Sequence, residues 1–481
     1  MYRNTRHSGL ALKVDWLTVL IYFVLVVMGW FSIYAAVYDP QDSGFIFDPS
    51  KRYGMQVVWM GLSFALAVVI LLLDSKYFHM FSYHIYWAAL LMMLGVLLFG
   101  KEVNGAKSWI GVGSIGIQPV EFMKIAAALA LARFMSSFHF SLGRRQSVLM
   151  VAAIIFVPIM LVLMQNDTGS ALVFFAFFVV LYREGVGAVI YLVTLYFILI
   201  AVLTFFVNED ALVLMIFLSC VLFELFSSHR HNPVRSVLRF VGGVFGVFIL
   251  VRVFGWLFGY SCSLSMGLVL GVLAMFPFVV RWVLKGFSRS ALWYLALFIG
   301  AVSFIFVVDY TFENVLQPHQ KERILDLTGI VSDPQGAGYN AMQSKIAIGS
   351  GGFGGKGFLE GTQTRFSFVP EQSTDFIFCT IGEEWGFVGS MAVLFLFGLL
   401  IYRLMRMGER QKEPFARIYC YSAASILLFH VLINISMTIG LFPVIGIPLP
   451  FFSYGGSSLM AFSVLVFIAV RLDASQELSS F

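Results

Sequence analysis

Apolar runs of about 17 to 25 residues recur along this chain, and each is long enough to cross roughly 30 Å of hydrocarbon as a helix. With 60% apolar residues, 12% charged residues and a mean hydropathy of +0.89, the chain cannot be a soluble globular domain. The expected fold class is an all-α polytopic membrane protein. Spans are expected near 15–37, 55–74, 80–99, 118–136, 148–164, 169–182, 187–207, 211–227, 236–256, 264–284, 291–308, 381–405, 418–441 and 455–473, about fourteen in all. The first, "VDWLTVLIYFVLVVMGWFSIYAAV", is too long for a signal-peptide core and lacks a small-residue cleavage site, so it reads as a retained span.

Lys and Arg collect at the termini and in alternate connections. Arg3, Arg6 and Lys13 precede the first span; Arg144 and Arg145, then Arg230, Arg235 and Arg239, then Arg281, Lys285 and Arg289, then "YRLMRMGERQKEPFAR" follow. Cations resist translocation, so both termini are expected in the cytoplasm. The net charge of +5 then needs no nucleic-acid partner. Connections without Lys or Arg, such as "QNDTG" and "FPVIGIPLPFFSYGG", fall outside, together with a long segment from 309 to 380. Loops of that length inside a membrane protein are functional or disordered. Its apolar clusters and low net charge argue against disorder, and short helices at the outer leaflet are expected.

Several apparent motifs carry little. His229 and His231 sit in a basic turn without further ligands nearby, and read as solvated rather than metal-binding. Cys262 and Cys379 both fall near the outer face, so a disulfide between them is an open alternative. "SGGFGGKGF" lacks the Ser or Thr that a Walker A loop needs after its Lys, and its glycines read as turns and close backbone approaches.

Ionisable residues at membrane depth mark a functional region, because burial of an unpaired charge is costly. Glu121 and Lys124 are three apart on one helix face and can neutralise each other, either to fix packing or to border a polar cavity. Asp167 in "QNDTGSAL" suits the N-cap of a helix. Thr374 and Asp375 in "PEQSTDFIF" stand where the chain re-enters the bundle; they are either caps for the next helix or site residues, and Glu371 beside Pro370 is expected to be exposed. Glu383 and Glu384 lie deeper and are expected to pair with cations.

"GAKSWIGVGSIGIQPVEFMKIA", "QNDTGSAL", "DPQGAGYNAMQSKIAIGSGGFGGKGFLEGTQTRFSFVPEQSTDFIF", "GEEWGFVGS" and "GLFPVIGIPLPFFSYGGSSL" together resemble the signature blocks of the SEDS family (shape, elongation, division and sporulation). The resemblance covers most of residues 10–185 and 309–473, and leans toward the elongation branch (RodA type) over the division branch. It implies a SEDS-like helix bundle that polymerises lipid II into β-1,4 glycan strands at the outer face of the bacterial cytoplasmic membrane. A class B penicillin-binding protein and other elongation-complex proteins are the implied partners, with membrane lipid around the bundle.

The family's essential acid falls on Asp375, implied to take the proton from the acceptor hydroxyl. The departing diphosphate needs positive charge. Arg323, Lys345 and Lys356, or a divalent cation (Mg or Mn), are the candidates, with Glu371 and Thr374 as further substrate contacts. The resemblance gives Glu121, Lys124, Trp109 and Asp167 supporting roles around the cavity. The chain departs from the family at Ser373, where His commonly stands, and at Gly116, where Arg often does. A larger departure is 208–308, read as about four helices added to a ten-helix plan. The expected organisation is thus a core at 1–207, inserted helices at 208–308, an external loop with the catalytic motif at 309–380 and a second core part at 381–481. A lipid II flippase, a noncatalytic scaffold and a division or sporulation member of the family are the rival readings.

Overall fold

Lipid offers backbone amides no hydrogen-bond partner, so an apolar run that crosses it must satisfy its own peptide groups as a helix. The computed structural model describes residues 13–38, 45–227 apart from 104, 113–114, 139 and 142, short pieces between 241 and 273, and 290–479 apart from 317, 329–337 and 367. Among these residues eight helices are long and apolar enough to cross a membrane. Four are α1 (Trp16–Val37), α2 (Arg52–Leu72), α3 (Ser75–Phe99) and α5 (Arg145–Met164). The others lie in α10 (Ser290–Tyr310) with the π-turn that follows it, α14 (Ile377–Arg410), α15 (Pro414–Thr438) and α16 (Gly456–Ser479).

The expected span at 118–136 is α4, Pro119–Met135, whose 17 residues fall short of a typical crossing length of about 20. The expected span at 169–182 is broken into α6 (Thr168–Val173) and α7 (Ala176–Arg183), and that at 187–207 is α8 (Ala188–Leu203). The span at 211–227 is α9, Glu209–Ser227. The expected spans at 236–256 and 264–284 fall largely outside the described residues, as do His229, His231 and Cys262 wholly; Cys379 is a buried free thiol.

The all-α expectation needs one addition. Residues 101–117 form a small antiparallel sheet of β1 (Lys101–Val103), β2 (Ala106–Val112) and β3 (Ile115–Ile117), in the order β1-β2-β3. Val103 pairs with Ala106 and Ile110 with Ile117, and Gly105 takes the positive φ (+81°) that such a tight turn requires.

The chain divides into two compact units, residues 1–186 with 332–481, and 187–331. The second contains the expected insertion at 208–308. Its core is built from α8, α9 and α10, with Ile200, Val213, Phe217, Phe298 and Ile305 buried together. It also carries α11 (Pro318–Thr328).

In the first unit α4 is the central helix. Fourteen of its residues are buried, and its run "IAAALALA" lets neighbouring backbones approach closely. One end of the bundle is tied by ion pairs: Arg403 and Arg410 to Asp15, Arg410 to Asp473, and Arg417 to Glu184 at 2.8 Å. Asp15 also caps α1. At the other end of that 22-residue helix the Ala36 carbonyl accepts from Gln372 Nε2 at 2.6 Å.

Helix α14 is two helices joined at a break. Gly386 has φ +61° and ψ −156°, so Ile377–Trp385 ends there and Phe387–Arg410 begins. A break frees carbonyls on one side and N–H groups on the other. The glycine-rich turn after α12 (Tyr339–Ser350) takes up both. Lys356 and Gly357 N–H donate to the Glu383 and Glu384 carbonyls at 3.0 Å each, and Phe387 and Val388 N–H donate to Gly352 and Phe353 at 2.9 and 3.2 Å. Only glycine fits this approach, since a Cβ on Gly355 would stand 2.1 Å from the Glu384 oxygen.

Candidate active site

Residues 371–376 form a tight turn ahead of α14. Glu371 adopts φ +53°, and its carbonyl accepts from Thr374 N–H at 3.1 Å and Phe376 N–H at 3.3 Å. The turn is held from several sides. Gln372 Nε2 donates to the Ala36 and Thr364 carbonyls at 2.6 and 2.9 Å. Tyr454 N–H donates to the Ser373 carbonyl at 2.8 Å, Ser453 Oγ to the Thr374 carbonyl at 2.6 Å, and Asn434 Nδ2 to the Asp375 carbonyl at 2.8 Å. Three successive carbonyls are thereby fixed by α15 and the loop that follows it.

The N-cap position of α14 falls on Phe376, directly after Thr374 and Asp375. Thr374 Oγ1 donates to Glu371 Oε2 at 3.0 Å. The Asp375 side chain is half-buried and faces the α15–α16 loop, where a Cβ on Gly446 (φ +70°) would stand 3.2 Å from Oδ2. A glycine there leaves the carboxylate room.

The expected cations fare differently. Lys345 is exposed on α12, and its Nζ lies 3.2 Å from where a Gly440 Cβ would be, so it borders the same α15–α16 loop as Asp375. Lys356 is committed elsewhere: its ammonium donates to Glu383 Oε1 at 2.7 Å and Thr362 Oγ1 at 2.8 Å. Glu383, fully buried, also accepts from Gln363 and Thr364 N–H at 2.9 Å each, and Glu384 accepts from Leu359 N–H at 3.1 Å. These two acids thus pin the 351–365 loop. Arg323 lies on α11, in the other compact unit.

Arg52 joins the turn without having been singled out from sequence. Its Nη1 is 2.6 Å from Ser373 Oγ and 4.0 Å from Glu371 Oε2, and its guanidinium lies over the Tyr454 ring at 5.8 Å. The signal was available: Lys51 and Arg52 sit at the end of the bundle where sidedness predicts few cations.

Glu121 and Lys124 are both buried, with Lys124 Nζ at 2.8 Å from each Glu121 oxygen. Lys124 also meets His430 Nε2 at 2.8 Å, and His430 Nδ1 reaches the Pro448 carbonyl at 3.3 Å. His430 and Asn434 were missed as well, although polar side chains in an apolar span are the expected sign of function. Asp167 caps α6 by accepting from Ser170 N–H at 2.9 Å, and it takes Gln118 Nε2 at 3.0 Å. Trp109 on β2 stacks its ring edge against Gly116, where a Cβ would come within 3.0 Å. Among the described residues no group of three or more His, Cys, Asp and Glu could hold a metal ion.

The family model described as "Cell cycle protein", for FtsW, RodA and SpoVE, matches residues 15–239 and 212–478. The peptidoglycan glycosyltransferase RodA of Treponema pallidum is 30% identical over 464 residues, 96% of this chain and 98% of that protein. The peptidoglycan glycosyltransferase MrdB of Escherichia coli is 29% identical over 92% of this chain and 88% of its own. A solved structure described as "Structural coordination of polymerization and crosslinking by a peptidoglycan synthase complex" superposes with a TM-score of 0.59 at 25% identity, over 96% of this chain and 98% of the other. The RodA structure from Thermus thermophilus, at 21% identity and a TM-score of 0.51, over 96% of each chain, shares the fold. Sequence blocks, helical architecture and these matches agree: the chain belongs to the FtsW/RodA/SpoVE family, the SEDS family of polytopic membrane proteins.

Proposed function

We propose that this protein is a peptidoglycan glycosyltransferase of the elongation branch, with Asp375 as the base that deprotonates the acceptor sugar hydroxyl. Relatives named as peptidoglycan glycosyltransferases support the activity. The single observation that carries the role of Asp375 is its setting: a backbone fixed at three successive carbonyls, with a glycine opposite the carboxylate. A carboxylate on a backbone held in this way can accept a proton with little reorganisation. Attack by the acceptor oxygen on the anomeric carbon of the lipid-linked donor displaces a diphosphate and inverts that carbon, giving a β-1,4 bond by one displacement.

Lys345 beside the α15–α16 loop and Arg52 beside the turn are the cations that would meet the charge building on the leaving group. Lys356 is spent on Glu383, so it serves the loop rather than the substrate. A magnesium or manganese ion would bind through phosphate oxygens and one or two carboxylates; every step above is carried by side chains.

We read the Arg-rich end of the bundle, tied to Asp15 and Asp473, as cytoplasmic and the Asp375 turn as facing outward, in line with the bias of Lys and Arg toward the cytoplasm. The peptidoglycan synthase complex among the structural neighbours supports a transpeptidase partner of the class B penicillin-binding type.

The test is polymerisation of purified lipid II by the full chain with its transpeptidase, wild type against Asp375→Asn. Removal of a general base is expected to slow polymer formation by about 10²-fold or more. Glycan strands made at the wild-type rate by the variant would reject the base, and lipid II translocation without any polymer would favour transport.

A further inference from the structure

Two buried polar side chains on α15 stand one helical turn apart and face the same loop. His430 and Asn434 are 1% and 0% exposed. Asn434 Nδ2 donates to two carbonyls, Ile447 at 2.7 Å and Asp375 at 2.8 Å. Both partners can only accept, which fixes the orientation of the amide. It also leaves Asn434 Oδ1 buried without a hydrogen-bond partner among the described residues. Buried acceptors are rarely left so.

His430 holds the next residue of the loop. A lysine ammonium can only donate and a carbonyl can only accept, so His430 must be the neutral tautomer that accepts from Lys124 at Nε2 and donates from Nδ1 to Pro448. Lys124 in turn is oriented by both oxygens of Glu121. Beyond Pro448, the Leu449 N–H donates to Ser453 Oγ at 2.7 Å, and that hydroxyl donates to the Thr374 carbonyl at 2.6 Å. Gly446, against the Asp375 carboxylate, directly precedes the clamped pair 447–448.

We propose that His430 and Asn434 are positioning residues for the reaction: a two-point clamp on residues 447–448 that also grips the Asp375 carbonyl, braced by the Glu121–Lys124 pair. This rests on the reading of Asp375 as the base. The buried ion pair then acts in catalysis at a distance, by orienting a histidine rather than by meeting substrate. A packing role alone would be satisfied by apolar side chains of similar shape, and the clamp would not.

The experiment uses the full chain with its transpeptidase and lipid II, and compares Asn434→Asp, Asn434→Leu, His430→Phe and His430→Gln. Asn434→Asp keeps the shape and loses both donors; kcat is expected to fall about a hundredfold, as a displacement of the base by an ångström would cause, with KM changed less than about threefold. His430→Gln can accept from Lys124 and donate to Pro448, and is expected to restore most of what His430→Phe loses. Amide hydrogen exchange is measured on the same variants without substrate. Faster exchange at 371–376 and 446–453 in Asn434→Asp is expected, with exchange elsewhere in α15 unchanged. Unchanged exchange in both segments overturns the clamp whatever the activity. Wild-type kcat in Asn434→Asp, a loss confined to KM, or equal activities of His430→Phe and His430→Gln overturn the positioning role. If exchange responds but wild type makes no glycan, the clamp stands as structure and the glycosyltransferase reading falls.

Discussion

Substitution of Gly386 by alanine tests the break in α14. At φ +61° and ψ −156° the residue occupies a region that is nearly glycine-only, and a side chain there costs of order 1–3 kcal/mol in backbone strain. The added Cβ would also stand 2.3 Å from the Gly355 nitrogen and 2.9 Å from the Gly354 carbonyl carbon. Both are backbone atoms, so no side chain can swing aside. Relief requires the loop to separate from the break, which exposes the four backbone hydrogen bonds between 352–357 and 383–388, each worth about 1 kcal/mol net.

The expected destabilisation of Gly386→Ala is therefore about 4 kcal/mol. Gly398 lies on the same helix, exposed, with nothing within 4 Å of its Cβ position. There alanine is expected to stabilise by about 0.5–1 kcal/mol, because only helix propensity changes. Thermal unfolding of the full chain in one detergent, followed by circular dichroism, ranks the two against wild type. The account of the break is refuted if Gly386→Ala unfolds no earlier than wild type, or if Gly398→Ala is the weaker variant.

Lys356→Met strands the fully buried Glu383 carboxylate and is expected to cost about 3–5 kcal/mol, with Lys356→Met/Glu383→Gln recovering a large part; the same unfolding assay measures both. Asp167→Ala removes the cap of α6 and is expected to cost about 1 kcal/mol, whereas Asp167→Asn keeps an acceptor and loses less. Arg52→Ala removes a charged hydrogen bond to Ser373 and is expected to lower kcat/KM for lipid II roughly tenfold. Arg52→Lys keeps the charge without the planar face over Tyr454, so it should recover only part of that loss in the polymerisation assay.

Hydrophobic run length was a sound guide to which segments form long helices, since α1, α2, α3, α5, α15 and α16 each follow one apolar stretch. It could not reveal the break in α14. "FIFCTIGEEWGFVGSMAVLF" reads as one entry into the membrane, and the interruption depends on Gly355 and Gly386 meeting across thirty residues of chain. The sheet at 101–117 was hidden for another reason: its strands of three, seven and three residues are too short for a periodic signal, although Asn104-Gly105 is a hairpin dipeptide.

The site was legible in its acids and less so in its cations. Glu121, Lys124 and Asp375 stand out because charge is scarce around them. Lys345, Lys356 and Arg323 look alike as residues, and only their partners separate a lysine bound to Glu383 from one bordering the α15–α16 loop. Arg52, His430 and Asn434 make hydrogen bonds to residues 13 to 321 positions away, and nothing local encodes that.

The tie between the first and last helices bears on how the protein is made. Asp15 leaves the ribosome hundreds of residues before Arg403 and Arg410, and Tyr22 waits longer still for the Ser463 hydroxyl that it meets at 2.8 Å. Until α14 is made that acid must rest in water or against lipid headgroups, and the Tyr22–Ser463 bond cannot form until α16 is threaded. A chain cut short before α16 would keep the Asp15 pairs yet lack the Tyr22–Ser463 and Arg410–Asp473 ties.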